Sequence, residues 1–107
     1  HKKEIIADVT DLLLSETTTL NKGWESDVPS NYKYVDVKIH FSGSVTALNH
    51  VQVFVLQPNG EYDNVYGQST FIKRYSISIE NSGKWVFYVY NTGYEPVYVD
   101  CYIVKVV

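Results

Sequence analysis

From Phe71 to Val107 apolar and polar positions alternate with few breaks, and many of the polar positions hold tyrosine where a charge would be usual. Lys84–Tyr90 puts Trp85, Phe87 and Val89 on one side and Val86, Tyr88 and Tyr90 on the other. Val97–Val104 puts Val97, Val99, Cys101 and Ile103 on one side and Tyr98, Asp100 and Tyr102 on the other. A period of two specifies a strand with one buried face. The loop Asn91-Thr92-Gly93-Tyr94-Glu95-Pro96 between the runs predicts a hairpin. If both apolar sets share a face, Trp85, Phe87 and Val89 lie opposite Cys101, Val99 and Val97. Tyr88 then lies across from Tyr98, with Tyr90 and Tyr102 further along the same outward face; a slip of one residue would expose the valines.

The same reading extends toward the N-terminus. Tyr34–Phe41 alternates cleanly, with Val35, Val37, Ile39 and Phe41 inward and Asp36, Lys38 and His40 outward. Val51–Leu56 is nearly all apolar, as suits a central strand covered on both faces. Pro58-Asn59-Gly60 turns the chain, Tyr62–Phe71 is an edge strand or loop, and Tyr75–Ile79 is the next alternating strand. Residues 21–31, including Gly23, Trp24, Pro29 and Asn31, read as a loop dense in turn formers. Glu4–Leu14 is either a strand, continued past a bulge, or a short amphipathic helix; its β-branched residues and the following 15–20 segment favour strand. Residues 1–3 read as a loose or tag-derived end. The sum is seven to nine short strands in one domain over 1–107, an all-β, two-sheet antiparallel β-sandwich of jelly-roll-like kind.

Composition narrows the function classes. At 107 residues and 45% apolar content the chain can bury a real core without staples. A net charge of −3, with no basic cluster beyond Lys2-Lys3 and Lys73-Arg74, argues against nucleic acid, whose phosphates call for a basic stripe. No apolar run is long enough to make a membrane span. The lone Cys101 rules out an intrachain disulfide and reads as a small buried hydrophobe. The chain opens at His1 without an initiator methionine, as expected of a processed product, an excised domain or a tagged fragment.

Candidate chemistry is sparse. No H-E-x-x-H, G-x-S-x-G or phosphate-loop motif is present. Asp36 and His40 share a strand face about 13 Å apart, too far to bond. Sequence reasoning therefore expects His40 to face solvent as neither metal ligand nor general base, unless a carboxylate or second histidine lies directly across the adjoining strand. Loop carboxylates Glu25, Asp27, Glu61, Asp63 and Glu95 could converge in space, and Glu25/Asp27 or Glu61/Asp63/Asn64 could supply oxygens to calcium. None of them has the spacing of a calcium loop, so no metal, no cofactor and no catalytic residue is expected. What stands out is aromatic. Tyr88, Tyr90, Tyr98 and Tyr102 form either a second packed face or a binding surface, since tyrosine offers flat apolar area, a hydroxyl and little entropy to lose. Trp24 is either a ligand anchor in its loop or a plug over the open end of the sandwich.

The stretch Asn81-Ser82-Gly83-Lys84-Trp85-Val86-Phe87-Tyr88-Val89-Tyr90-Asn91, followed by a valine-rich strand, resembles the C-terminal part of GOLD-type β-sandwich domains and of pre-peptidase C-terminal-type domains. Val53–Gly60 is similar to their strand and Pro-x-Gly turn, and the resemblance spans residues 34–107 in outline. The cysteine pair of the cargo-receptor members is absent. The resemblance implies a noncatalytic module of a secreted or surface protein that binds a protein or glycan. Two other readings stand beside it: a self-associating structural subunit, joined through an unpaired last strand, and a small hydrolase with a spatially assembled site.

Overall fold

The computed structural model describes residues 2–15 and 21–107. Among these it contains eight strands: β1 (Lys3–Leu14), β2 (Asn21–Val28), β3 (Tyr34–Ser42), β4 (Val51–Leu56), β5 (Tyr62–Tyr66), β6 (Thr70–Ser76), β7 (Gly83–Asn91) and β8 (Val97–Val106). A four-residue helix, α1 (Val45–Leu48), and a 3-10 turn at Ile79–Asn81 complete the regular structure. One sheet has the order β1-β8-β3-β6 and the other β2-β7-β4-β5.

This order follows from a single folding plan. β1 pairs with β8, β2 with β7, β3 with β6 and β4 with β5, all antiparallel. Those are the pairings of one long hairpin whose tip is the β4–β5 turn. Rolling the hairpin up adds the seams β3–β8 and β4–β7. The result is a two-sheet jelly roll.

The alternation in sequence becomes a core between the sheets. Val35, Val37, Ile39 and Phe41 of β3, and Val97, Val99, Cys101 and Ile103 of β8, meet Val51, Val53 and Val55 of β4 and Trp85, Phe87 and Val89 of β7. The Trp85 ring meets Tyr75 edge-on at 5.2 Å and stacks with Phe87 at 6.2 Å, and its indole N–H donates to the Asn81 carbonyl at 2.9 Å. Cys101 is buried, and desolvation pushes its thiol pKa up to about 12.

Several expectations change. β7 and β8 do not form a hairpin: each is a central strand, in opposite sheets. Period two fixes which side chains face the core but not which strand is the neighbour, and the two apolar sets cover each other across the core as readily as side by side. β8 is therefore flanked by β1 and β3, not an unpaired edge, which removes the motive for self-association through the last strand. Residues 21–28 of the supposed loop form β2, paired along its whole length with β7. The strand expected at Tyr75–Ile79 lies earlier, at Thr70–Ser76, because Ser78 and Asn81 cap each other's backbone and turn the chain into the 3-10 segment. β4 is central, but Gln52, Phe54 and Leu56 are only half-buried, so one of its faces is uncovered. At the N-terminus the strand alternative holds, with bulges near Ile5/Ala7 and Val9/Leu12. Lys2 and Lys3, expected in a loose end, are tied down: the Lys2 carbonyl accepts from Val107 N–H at 3.0 Å and Lys3 pairs with Val106. His1, and the strand signal over residues 16–20, lie outside the described residues.

Two polar clusters close the sandwich. At the β5–β6 side, the Asp63 carboxylate accepts from Lys73 Nζ at 2.8 Å and from the Tyr75 hydroxyl, linking the edge strands of the two sheets. At the corner between β7 and β8, Asn91 is the one buried polar side chain among the described residues. Its amide NH2 donates to the carbonyls of Leu14 at 3.1 Å and Glu95 at 2.8 Å, and its oxygen accepts Gly93 N–H at 3.0 Å.

Asn91→Ala should leave two carbonyls and one N–H without partners. An unmet buried group costs about 1–3 kcal/mol, so we expect a loss of at least about 2 kcal/mol in urea unfolding, read as a lower midpoint at unchanged slope. Acid should act through Asp63, whose pKa Lys73 first and Tyr75 second hold below the ordinary carboxylate value. Its contribution is complete above the unfolded-state pKa of about 4 and is lost as pH falls through the lower folded value. Stability should decline below about pH 4, and Asp63→Asn should flatten that decline in unfolding curves taken across pH.

Candidate functional site

Because β7 and β8 lie in opposite sheets, the four tyrosines expected on one face divide. Tyr88 and Tyr90 point outward from the β2-β7-β4-β5 sheet, and Tyr98 and Tyr102 outward from the β1-β8-β3-β6 sheet, on the far side of the sandwich. Tyr98 lies between Leu13 and Ser42, and Tyr102 between Asp8 and Lys38. Trp24 pairs with Phe87, so it shares the inward face; it is half-buried and packs against the core. Trp24 thus lies within a strand and not in the loop that both the anchor and the plug assumed.

Tyr88 and Tyr90 have other aromatic company. The cross-strand register places Gly23, Tyr88, Phe54 and Asn64 in one row. Tyr90, Gln52 and Tyr66 form the next, and Glu25, Val86, Leu56 and Tyr62 the row on the other side. Alternate residues on a strand repeat at about 6.7 Å and strands at about 4.8 Å, so five rings share one continuous patch. Tyr88 and Tyr90 have ring centroids 5.8 Å apart, and Phe54 and Tyr62 5.7 Å apart, both tilted at 36°. Tyr62 is 61% and Tyr66 62% exposed, whereas Phe54, Tyr88 and Tyr90 are half-buried. Burial first, then the Tyr88 and Tyr66 phenols, holds the Tyr90 pKa above the ordinary tyrosine value.

Polar groups are set into this patch. Gln52 Nε2 donates to Asn64 Oδ1 at 2.7 Å, and Asn64 Nδ2 donates to the Tyr66 hydroxyl at 3.3 Å. The charges of this face gather at one end, where Lys84 Nζ lies 3.5 Å from Glu25 Oε2 and Asp27 pairs with Lys84 across the strands. A depression of about 310 Å³ beside Tyr88 is lined by Gly23, Trp24, Glu25 and Val86. Trp24 thus borders the face although its ring packs inward.

Gly23 explains how Tyr88 lies down. A Cβ at position 23 would stand 2.5 Å from Tyr88 Cε1 and 2.7 Å from Cδ1. The bare glycine lets the ring cover the edge strand, an aromatic cross-strand cover of a glycine. Sequence reasoning missed Phe54, Tyr62 and Tyr66. The signal was the alternation within β4, with Gln52, Phe54 and Leu56 on one parity, and the i, i+4 spacing of Tyr62 and Tyr66, which puts both on one strand face.

His40 is exposed on the opposite sheet, as expected, but a carboxylate does lie directly across from it: Asp100 of β8. The two form no hydrogen bond. His40 Nδ1 is 3.0 Å from Thr70 Oγ1, and Asp100 Oδ1 accepts Asp11 N–H at 2.8 Å. A base oriented by a carboxylate with a nucleophile on its other nitrogen is not the arrangement here. The loop carboxylates are also dispersed: Glu61 bonds Asn59, Asp63 bonds Lys73, and Glu95 accepts from Ser44. No cluster of three or more metal-ligating side chains occurs among the described residues. A scan of protein-family models finds none that matches the chain, and a search of curated proteins finds no match either.

Gly23→Ala should force the Tyr88 ring off its seat, at a cost of about 1 kcal/mol for the displaced rotamer. Near-UV circular dichroism should change in the tyrosine region while the far-UV spectrum stays the same; an unchanged near-UV spectrum would show that the ring does not rest on Gly23.

Proposed function

We propose that the chain is a noncatalytic recognition module whose β2-β7-β4-β5 face binds a neutral polysaccharide. The observation that carries this reading is the co-location of five rings, Phe54, Tyr62, Tyr66, Tyr88 and Tyr90, with the Gln52–Asn64 amide pair, on a face whose charges are confined to one end. A pyranose chain has apolar C–H faces that stack on flat rings and hydroxyl edges that exchange hydrogen bonds with amides and phenols. It has no charge for this face to answer. The three rows offer successive rings along and across the strands, which suits an extended ligand of several sugar units. The resemblance of residues 34–107 to GOLD-type and pre-peptidase C-terminal-type domains points the same way, toward a binding module of a secreted or surface protein.

Affinity electrophoresis and calorimetry against neutral β-glucan, α-glucan and mannan chains test this. Binding to at least one is expected. Tyr62→Ala and Tyr66→Ala should each weaken it by about tenfold, the worth of one lost stacking contact of roughly 1.4 kcal/mol. Both rings are largely exposed, so the melting temperature should hold. Binding indifferent to both variants, or capture of a protein partner with no neutral polysaccharide bound, would sink the reading.

A further inference from the structure

The other outer face has a different chemistry. β1, β8, β3 and β6 together shape a groove of about 220 Å³. Across its middle runs the row Asp8–Tyr102–Lys38–Ile72, and beside it the row Asp100–His40–Thr70. One wall, from β1 and β8, is made of acceptors, the carboxylates of Asp8 and Asp100. The other wall, from β3, offers the Lys38 ammonium as a donor and the His40 ring nitrogen Nε2 as a donor or an acceptor. Tyr102 lies between them.

Several of these groups have hydrogen-bonding capacity left over. Asp8 and Lys38 take part in no ion pair or side-chain hydrogen bond among the described residues. Two strand spacings, about 10 Å, separate their backbones. Asp100 uses Oδ1 on the Asp11 amide and keeps Oδ2; His40 uses Nδ1 on Thr70 and keeps Nε2. The neighbouring pair shows what a satisfied couple looks like on this sheet: Arg74 Nε and a second guanidinium nitrogen bond the two oxygens of Asp36 at 2.7 and 2.9 Å.

We infer that this groove binds one neutral pyranose unit, as a free hexose or as the terminal residue of a glycan. A ring hydroxyl both donates and accepts, so it can satisfy a carboxylate on one side and an ammonium or imidazole on the other. Its C–H face has Tyr102 to rest on. Asp8 and Asp100 repel an anion on one side and Lys38 repels a cation on the other, so a neutral occupant spanning both walls meets neither repulsion. The volume lies below the roughly 300–1,000 Å³ of sites for drug-sized ligands and suits a single sugar unit, with the rest of any attached glycan left outside the groove. This site is independent of the polysaccharide face, being on the other sheet.

Amide chemical-shift titration of the full chain tests it, with glucose, galactose, mannose, glucuronate, glucosamine and glycine as separate probes. At least one neutral hexose should bind, with a dissociation constant of about 1 mM, and should move the amides of Asp8, Lys38, His40, Asp100 and Tyr102. Asp100→Asn and Tyr102→Ala should each weaken binding about tenfold or more. Lys38→Ala, at an exposed position, gives the same readout if Tyr102→Ala fails to fold. Tyr66→Ala should leave hexose binding unchanged, which separates this groove from the opposite face. The inference is overturned if no hexose shifts these amides, if only the charged or zwitterionic probes bind, or if Asp100→Asn and Lys38→Ala both bind hexose as the parent does.

Discussion

Asn91 sits where the chain leaves one sheet for the other. β7 ends at this residue, in the centre of its sheet, and a few residues later β8 begins in the centre of the opposite sheet. A chain crossing a sandwich in so short a span has backbone groups that neither sheet can pair. The Asn91 side chain answers two of them, a carbonyl and an amide of the crossing loop, and also donates to the last carbonyl of β1. One side chain thereby joins the end of β1, the end of β7 and the start of β8. With that corner held, β1 lies against β8 and β2 against β7, and the rest of the roll follows from pairing outward to the β4–β5 tip.

The crossing also decides what the protein shows to its surroundings. Had β7 and β8 stayed in one sheet, their outward tyrosines would have made a single patch. Placed in opposite sheets, they seed two surfaces of different character. Around Tyr88 and Tyr90 the neighbours are Phe54, Tyr62, Tyr66 and two amides. Around Tyr102 they are Asp8, Lys38, His40 and Asp100. The same core residues back both surfaces: the inward parity of the central strands fills the core, and the outward parity gives each face its chemistry. The edges carry their own closures. β1 is bulged twice, with Asp11 at φ 52° giving its amide to Asp100. At the far end Lys105, on the inward parity, donates to Ser26 Oγ at 2.9 Å and the Asp27 carbonyl at 2.7 Å, filling the mouth of the sandwich with a satisfied cation.

Face assignment within a strand was legible in the sequence; partnership between strands was not. The inward sets of β3, β7 and β8 follow from alternation alone, and all of them lie in the core. β2 was hidden because its glycine and charges read as loop, and the reason for Gly23 is a ring on another strand. The uncovered parity of β4 was hidden by its apolar content: Phe54 and Leu56 look like core until the open face of the sheet is known. The end of β6 was nearer to legible, since Ser78 and Asn81 have the spacing of a reciprocal cap. Of the aromatic residues singled out from the sequence, Tyr88 and Tyr90 fall on the ring-rich face, Tyr98 and Tyr102 on the opposite one, and Trp24 turns inward. The carboxylate across from His40 depended on which strand adjoins β3, and local patterning is silent on that.

The division of the tyrosines between two faces is the central claim, and nuclear Overhauser contacts in isotopically labelled protein test it most directly. The Tyr88 ring protons should show strong contacts to the Gly23 α-protons, with further contacts to Phe54, and the Tyr102 strand should show cross-strand contacts to Lys38. Contacts between Tyr88 and Tyr98 of the kind that neighbouring antiparallel strands produce would instead place β7 beside β8 in one sheet, and would contradict both the topology and the two surfaces derived from it.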